Sequence, residues 1–177
     1  MDSVGKRLLF CFAVVMLQVA AFWAGNVKQK HYEAISMGTT RGTELDDDYY
    51  ETIVLPENPQ REIVRTKTKV TATVGGTETF LTGGSPVWAV YFADLNDDGS
   101  REMIAEISTG GSASTDVIVV YDFEKETTRT LDDPKLYNYT AEFRDGDIIV
   151  TKRPYGKPDA PGVSGKLVWK ADGLSIG

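Results

Sequence analysis

Residues 94–102 read Asp-Leu-Asn-Asp-Asp-Gly-Ser-Arg-Glu. Side-chain oxygens stand at the first, third, fifth and ninth places of this stretch, on Asp94, Asn96, Asp98 and Glu102. A hard cation takes about six to eight oxygen ligands, and alternate residues of a tight turn aim theirs inward. Asp94, Asn96 and Asp98 would offer side-chain oxygens, Ser100 its backbone carbonyl, and Glu102 the closing carboxylate. Asp97 and Arg101 would point outward. Gly99 falls where such a loop turns sharply, a place that calls for positive φ. The four carboxylates face only Arg101 as a counter-charge, so they would repel one another until a cation entered. The expected ion is Ca2+. A plain polar turn is the competing account, because Asp, Asn and Gly are the ordinary residues of turns. Such a turn does not require an oxygen at every alternate place and an acid at the ninth.

The elements that must hold this loop read as strands. Val87–Ala93 and Met103–Ile107 are β-rich runs on its two sides. Position twelve of the loop is Ala105 rather than an acid, so an EF-hand with its flanking helices is not expected. Val70–Val74 and Thr77–Leu81 alternate with period two around Gly75-Gly76, the signature of a hairpin with a tight two-residue turn. Tyr137–Phe143 and Asp147–Thr151 repeat the pattern around Asp145-Gly146. Val117–Tyr121 is a nearly unbroken apolar run, fit for a central strand. Lys166–Trp169 closes the series. No stretch after residue 50 carries a long helical stripe. The expectation is an all-β fold of nine or ten strands, a compact antiparallel sandwich-like or partial-propeller domain after an N-terminal hydrophobic helix.

The run Phe92-Ala93-Asp94-Leu95-Asn96-Asp97-Asp98-Gly99, followed by Glu102-Met103-Ile104, resembles the FG-GAP/VCBS-type calcium-loop repeat. The resemblance covers about residues 87–123 and occurs once. It implies a strand–loop–strand unit that binds calcium through Asp94, Asn96, Asp98, Ser100 and Glu102. It also implies an extracellular or periplasmic setting and a role in adhesion or recognition. Propellers of that family repeat the motif blade after blade. Here the 129 residues from Tyr49 onward would fill only about three blades, short of the usual four.

Residues 1–24 form a separate piece. Lys6 and Arg7 precede an apolar run from Leu8 to Ala24, interrupted only by Gln18. This reads either as a cleaved signal peptide or as an uncleaved signal anchor. Both place the rest of the chain outside the cytoplasm, secreted or extracytoplasmic. Membrane contact is expected only through residues 8–24, and only if they are kept. Residues 25–48, ending in Asp46-Asp47-Asp48, read as a polar spacer, and residues 49–177 as the β domain.

The chain of 177 residues carries 19 basic and 26 acidic side chains, a net charge of −7, which argues against nucleic acid as a partner. Its single Cys11 and single His31 exclude disulfide frameworks and Cys/His zinc sites. Trp88 and Trp169 are read as packing residues within strands. The expected function is that of an exported, non-enzymatic calcium-binding β module. Its partner would be an extracellular protein or carbohydrate. A membrane-tethered sensor or accessory domain is the alternative, and behind it a polysaccharide hydrolase acting through two carboxylates.

Overall fold

A computed structural model describes residues 32–177 except residues 113, 132, 134 and 135. The export segment, the N-terminal helix expected in it, Cys11 and His31 lie outside the described residues. So does the first part of the spacer. Among the described residues no helix is long and apolar enough to cross a membrane.

The described chain is all-β, in thirteen strands: β1 (Ile35–Thr39), β2 (Tyr50–Val54), β3 (Arg61–Thr66), β4 (Lys69–Val74), β5 (Thr77–Gly83), β6 (Val87–Ala93), β7 (Glu102–Ser108), β8 (Asp116–Asp122), β9 (Thr127–Leu131), β10 (Tyr137–Arg144), β11 (Asp147–Pro154), β12 (Val163–Lys170) and β13 (Gly173–Ile176). They form three antiparallel sheets and no closed barrel. Two are meanders, β2-β3-β4-β5 and β10-β11-β12-β13; the third is a meander of β6 to β9 with β1 added at the β6 edge. Both expected hairpins are present. Gly75 and Gly76 have φ of 57° and 83°, and Asp145 and Gly146 have 53° and 90°, the double positive φ that two-residue turns of matching twist require. The turns close on the pairs Val74–Thr77 and Arg144–Asp147.

Two apolar cores explain the burial. One gathers Ile63, Val70 and Leu81 of the β2–β5 sheet with Val90, Phe92, Met103, Ala105 and Val119 of the β6–β9 sheet. The other gathers Tyr91, Ile104, Ile118 and Val120 of that same sheet with Tyr139, Ile148, Val150 and Leu167 of the β10–β13 sheet. Successive residues of a strand point to opposite faces. Phe92 and Met103 therefore serve the first core while Tyr91 and Ile104 serve the second. A sheet covered on both faces has no need of alternation, and every residue of β7 is buried. That is why Val117–Tyr121 reads as unbroken apolar sequence.

The strands beyond the expected number include β1, which falls inside the stretch read as a spacer, and β9, Thr-Thr-Arg-Thr-Leu, which has no apolar alternation. β1 alternates only over Ile35 and Met37, which pack against the first core. It is also held by Arg65 of β3, whose side chain is 0 % exposed. Its Nη1 donates to the Gly38 carbonyl at 3.1 Å, and its Nη2 donates to Thr40 Oγ1 at 2.9 Å and to the Trp88 carbonyl at 2.8 Å. One guanidinium so ties β3, β1 and β6 together. Its acid partner Glu51, at 3.3 Å, is partly exposed. Arg65→Met removes the hydrogen bonds that join the three strands and leaves Glu51 without its partner, and should cost about 3 kcal/mol, whereas Glu51→Ala, at the rim, should cost under about 1 kcal/mol. Urea midpoints of the two variants check this; equal losses would contradict the role given to Arg65.

Candidate metal centre

The loop of residues 94–101 joins β6 to β7, and Ala93 and Glu102 are the pair that closes it. Its shape is set by its own side chains. Asp94 accepts the backbone N–H groups of Asp98 at 3.2 Å and Gly99 at 3.0 Å. Asn96 Oδ1 accepts Asp98 N–H at 2.9 Å, and Asp98 Oδ1 accepts Ser100 N–H at 2.9 Å. Each is a short polar side chain satisfying a backbone donor a few residues on. Gly99 has the expected positive φ, 89°, and Asp97 shares it at 58°. Asp97 is exposed, as expected of a residue outside the ligand set.

Glu102, the first residue of β7, is the floor of the loop. It is 1 % exposed. Its Oε2 accepts Leu95 N–H and its Oε1 accepts the Asn96 side-chain N–H, both at 2.8 Å. Burial drives its carboxyl up to about 7; the Leu95 N–H opposes this, and the charges of Asp98, Asp122 and Asp94 add to it.

Asp98, Glu102 and Asp122 bring carboxylate oxygens within 4.8 Å of one another. Two of these three belong to the sequence-derived set, and Asp122 does not. It ends β8, one step beyond the Met103–Tyr121 pair, so the antiparallel register sets it beside Glu102. Asp94 and Asn96 stand at the rim with oxygens engaged by loop amides. A carboxylate or amide oxygen that accepts one N–H retains a lone pair. Ser100 is at the rim too, its hydroxyl 3.3 Å from Glu124 Oε1. The sequence held one signal for Asp122, an acid ending a buried apolar strand.

Asp122 is itself 0 % exposed. Burial alone would raise its carboxyl, but it sits below the ordinary range. Lys125 Nζ lies 2.7 Å from Oδ2, and the N–H groups of Lys125 and Glu124 donate to Oδ1. The same ammonium is 3.7 Å from Asp98 Oδ2. The counter-charge of this cluster is therefore Lys125, on the β8–β9 turn. Arg101 turns away and is buried elsewhere, donating to the Glu33 carbonyl at 2.8 Å and to Glu57 at 2.9 Å. Three carboxylates, two of them buried, thus face one ammonium, an acidic cluster whose oxygens lie close enough together to hold a metal ion.

Trp88 and Trp169 are half-buried within their strands, as read. Trp88 Nε1 donates to Asp116 Oδ1 at 2.9 Å, and Arg129 stacks on Trp169 at 4.1 Å. Comparison with protein-family models, with curated proteins and with solved structures gives no match to this chain.

Glu102 yields a pH prediction. Its folded-state carboxyl binds a proton more tightly than the unfolded one, so its contribution to stability is full below about pH 4.5 and declines as pH rises to about 7. In chelator, Glu102→Gln should lose this decline. The difference in unfolding free energy, variant minus wild type, should grow by about 2–3 kcal/mol between pH 5 and pH 8. Urea titrations at each pH measure it. Parallel pH profiles would refute the assignment.

Proposed function

We propose that the chain is an exported, non-enzymatic β module stabilised by calcium and used in recognition outside the cytoplasm. The observation that carries this reading is the convergence of Asp98, Glu102 and Asp122 at one end of the doubly covered sheet. Carboxylate oxygens at the cluster, with further oxygens at Asp94, Asn96 and the Ser100 carbonyl along the same loop, suit Ca2+ better than a softer ion. In this reading Asp122 joins the set and Lys125 is displaced when the ion enters. Three meandering sheets stacked by their faces accord with a partial propeller, the arrangement that the FG-GAP/VCBS-type resemblance implies. Export rests on residues 6–24. Whether residues 8–24 stay as a membrane tether decides between a free module and an anchored accessory domain.

Hydrolysis by a carboxylate pair is disfavoured on geometry. Both acids would have to face substrate across an open cleft. Glu102 and Asp122 lie side by side and are almost wholly buried.

Affinity should fall in the range of extracellular calcium modules, on the order of 10⁻⁴ to 10⁻³ M. Binding to the folded state alone should then raise the melting temperature by about 4 °C or more in 10 mM calcium. Asp122→Asn should abolish the rise, although sequence spacing did not select that residue. A wild type whose melting curve ignores calcium would sink the reading.

Lys125 supplies a second, opposed test. Lys125→Gln removes the competing ammonium, so calcium should bind about three- to tenfold more tightly while the calcium-free protein loses stability. Calorimetric titration of both proteins decides it. Weaker binding in the variant would mean that Lys125 supports the site instead of competing for it.

A further inference from the structure

At the other end of β8 the surface has the opposite character. A cleft of about 400 Å³ opens where Asp116, the first residue of β8, meets β10 and the end of β11. That volume lies within the span of about 300–1,000 Å³ common for small-ligand sites. Three cations line the cleft, Arg41, Arg153 and Lys157, against one carboxylate, Asp116. In a chain of net charge −7 this is a local reversal of sign.

The cations are not equivalent. Arg41 is committed: its Nη2 bonds Asp116 Oδ2 at 2.9 Å, its guanidinium also bonds the buried Glu106, and it lies over the Trp88 ring at 4.6 Å. Asp116 is committed too, accepting Trp88 Nε1–H on its other oxygen. Arg153 and Lys157 have no acidic partner among the described residues. Arg153 pairs with Asn138 across β10 and β11, so both side chains stand on one face of the sheet, with Thr140 two residues further along it. Beyond β11 the wall is held by turns. Tyr155 N–H donates to the Leu136 carbonyl at 3.1 Å and Lys157 N–H to the Pro154 carbonyl at 3.2 Å, with Gly156 at a φ of 68°. The cleft is therefore built before any ligand arrives.

We propose that this cleft binds a short acidic saccharide, with Arg153 and Lys157 taking its carboxylate or sulfate. Two uncommitted cations fix one or two anionic groups. Around them stand neutral hydrogen-bonding groups, the Asn138 amide, the Thr140 hydroxyl and the Tyr155 phenol, which match ring hydroxyls. The Tyr155 ring offers a flat face for the C–H side of a sugar. The net negative charge of the chain disfavours a long polyanion. The proposal gives a ligand class to the recognition role inferred above. It does not require the cation site, which lies at the opposite end of β8.

The test uses the full chain in chelator, so that calcium plays no part. The probes are trigalacturonate, a sulfated disaccharide, neutral maltotriose and a hexaglutamate peptide, followed by NMR shift perturbation or calorimetry. At least one acidic saccharide should bind, at least tenfold more tightly than maltotriose. Arg153→Gln/Lys157→Gln should weaken that binding at least tenfold, with melting temperature and calcium response unchanged. Equal binding of maltotriose, undiminished binding by the double variant, or no binding of either acidic saccharide would overturn the proposal. Tighter binding of hexaglutamate than of either saccharide would overturn it in favour of a peptide ligand. The calcium melting assay stands apart, so failure of one reading is distinguishable from failure of the other.

Discussion

Covering the β6–β9 sheet on both faces is the constraint from which the rest of this structure follows. Once β7 has cores above and below it, no residue in the middle of that strand can carry charge without a dedicated partner. Glu106 shows the cost of an exception. It is buried mid-strand and accepts the Ala141 N–H at 2.8 Å as well as the Arg41 guanidinium. The other acids of β7 and β8, with Ser108, stand at the strand ends. Glu102 and Asp122 stand at one end, Ser108 and Asp116 at the other.

The two ends of β8 then acquire different chemistry from their neighbours. At Asp122 the adjoining loop supplies more acids, and only the Lys125 ammonium answers them. At Asp116 the neighbours are Arg41 and Trp88, which consume its charge, and the cations beyond are left over. Strand β8 is short and packed on both faces, so each end is a fixed platform and neither has to be organised by its ligand. If the two proposals hold, ions and ligands at these ends would bind with little ordering cost, because little loop surrounds them.

What could be read from the sequence divides along the same line. The hairpins at Gly75-Gly76 and Asp145-Gly146, the central strand and the loop at Asp94–Glu102 are written in local order: a turn needing positive φ, a run needing burial, a spacing of oxygens. Local order could not show which distant acid would complete the cluster. Asp122 is twenty residues from Glu102, and only the β7–β8 register joins them. Lys125 is hidden in the same way, and Arg101 looked like the counter-charge because it is near in sequence, although it is buried against Glu57. β1 escaped because its alternation is confined to Ile35 and Met37, and part of its hold comes from Arg65, a residue of another sheet. The cleft escaped because Arg41, Asn138 and Arg153 come from three separate stretches of chain.

The loop also shows why turn chemistry and ion chemistry are poorly separated by sequence. Asp94, Asn96 and Asp98 each hold a backbone N–H, which is what a polar turn asks of them. The same bonds aim the remaining lone pairs and prevent the acids from splaying apart under their own repulsion. Glu102 serves the turn as well, accepting the Leu95 N–H and the Asn96 side-chain N–H. Its carboxyl is pushed up to about 7 by burial and by three neighbouring acids. Its two N–H donors, from Leu95 and Asn96, offset only part of that penalty. Glu102 is costly to keep charged, whereas its neighbour Asp122 is satisfied by Lys125 and two N–H groups and sits below the ordinary range. In the reading proposed above, a cation at this cluster would offset the charge on Glu102 and take over the part that Lys125 plays for Asp122.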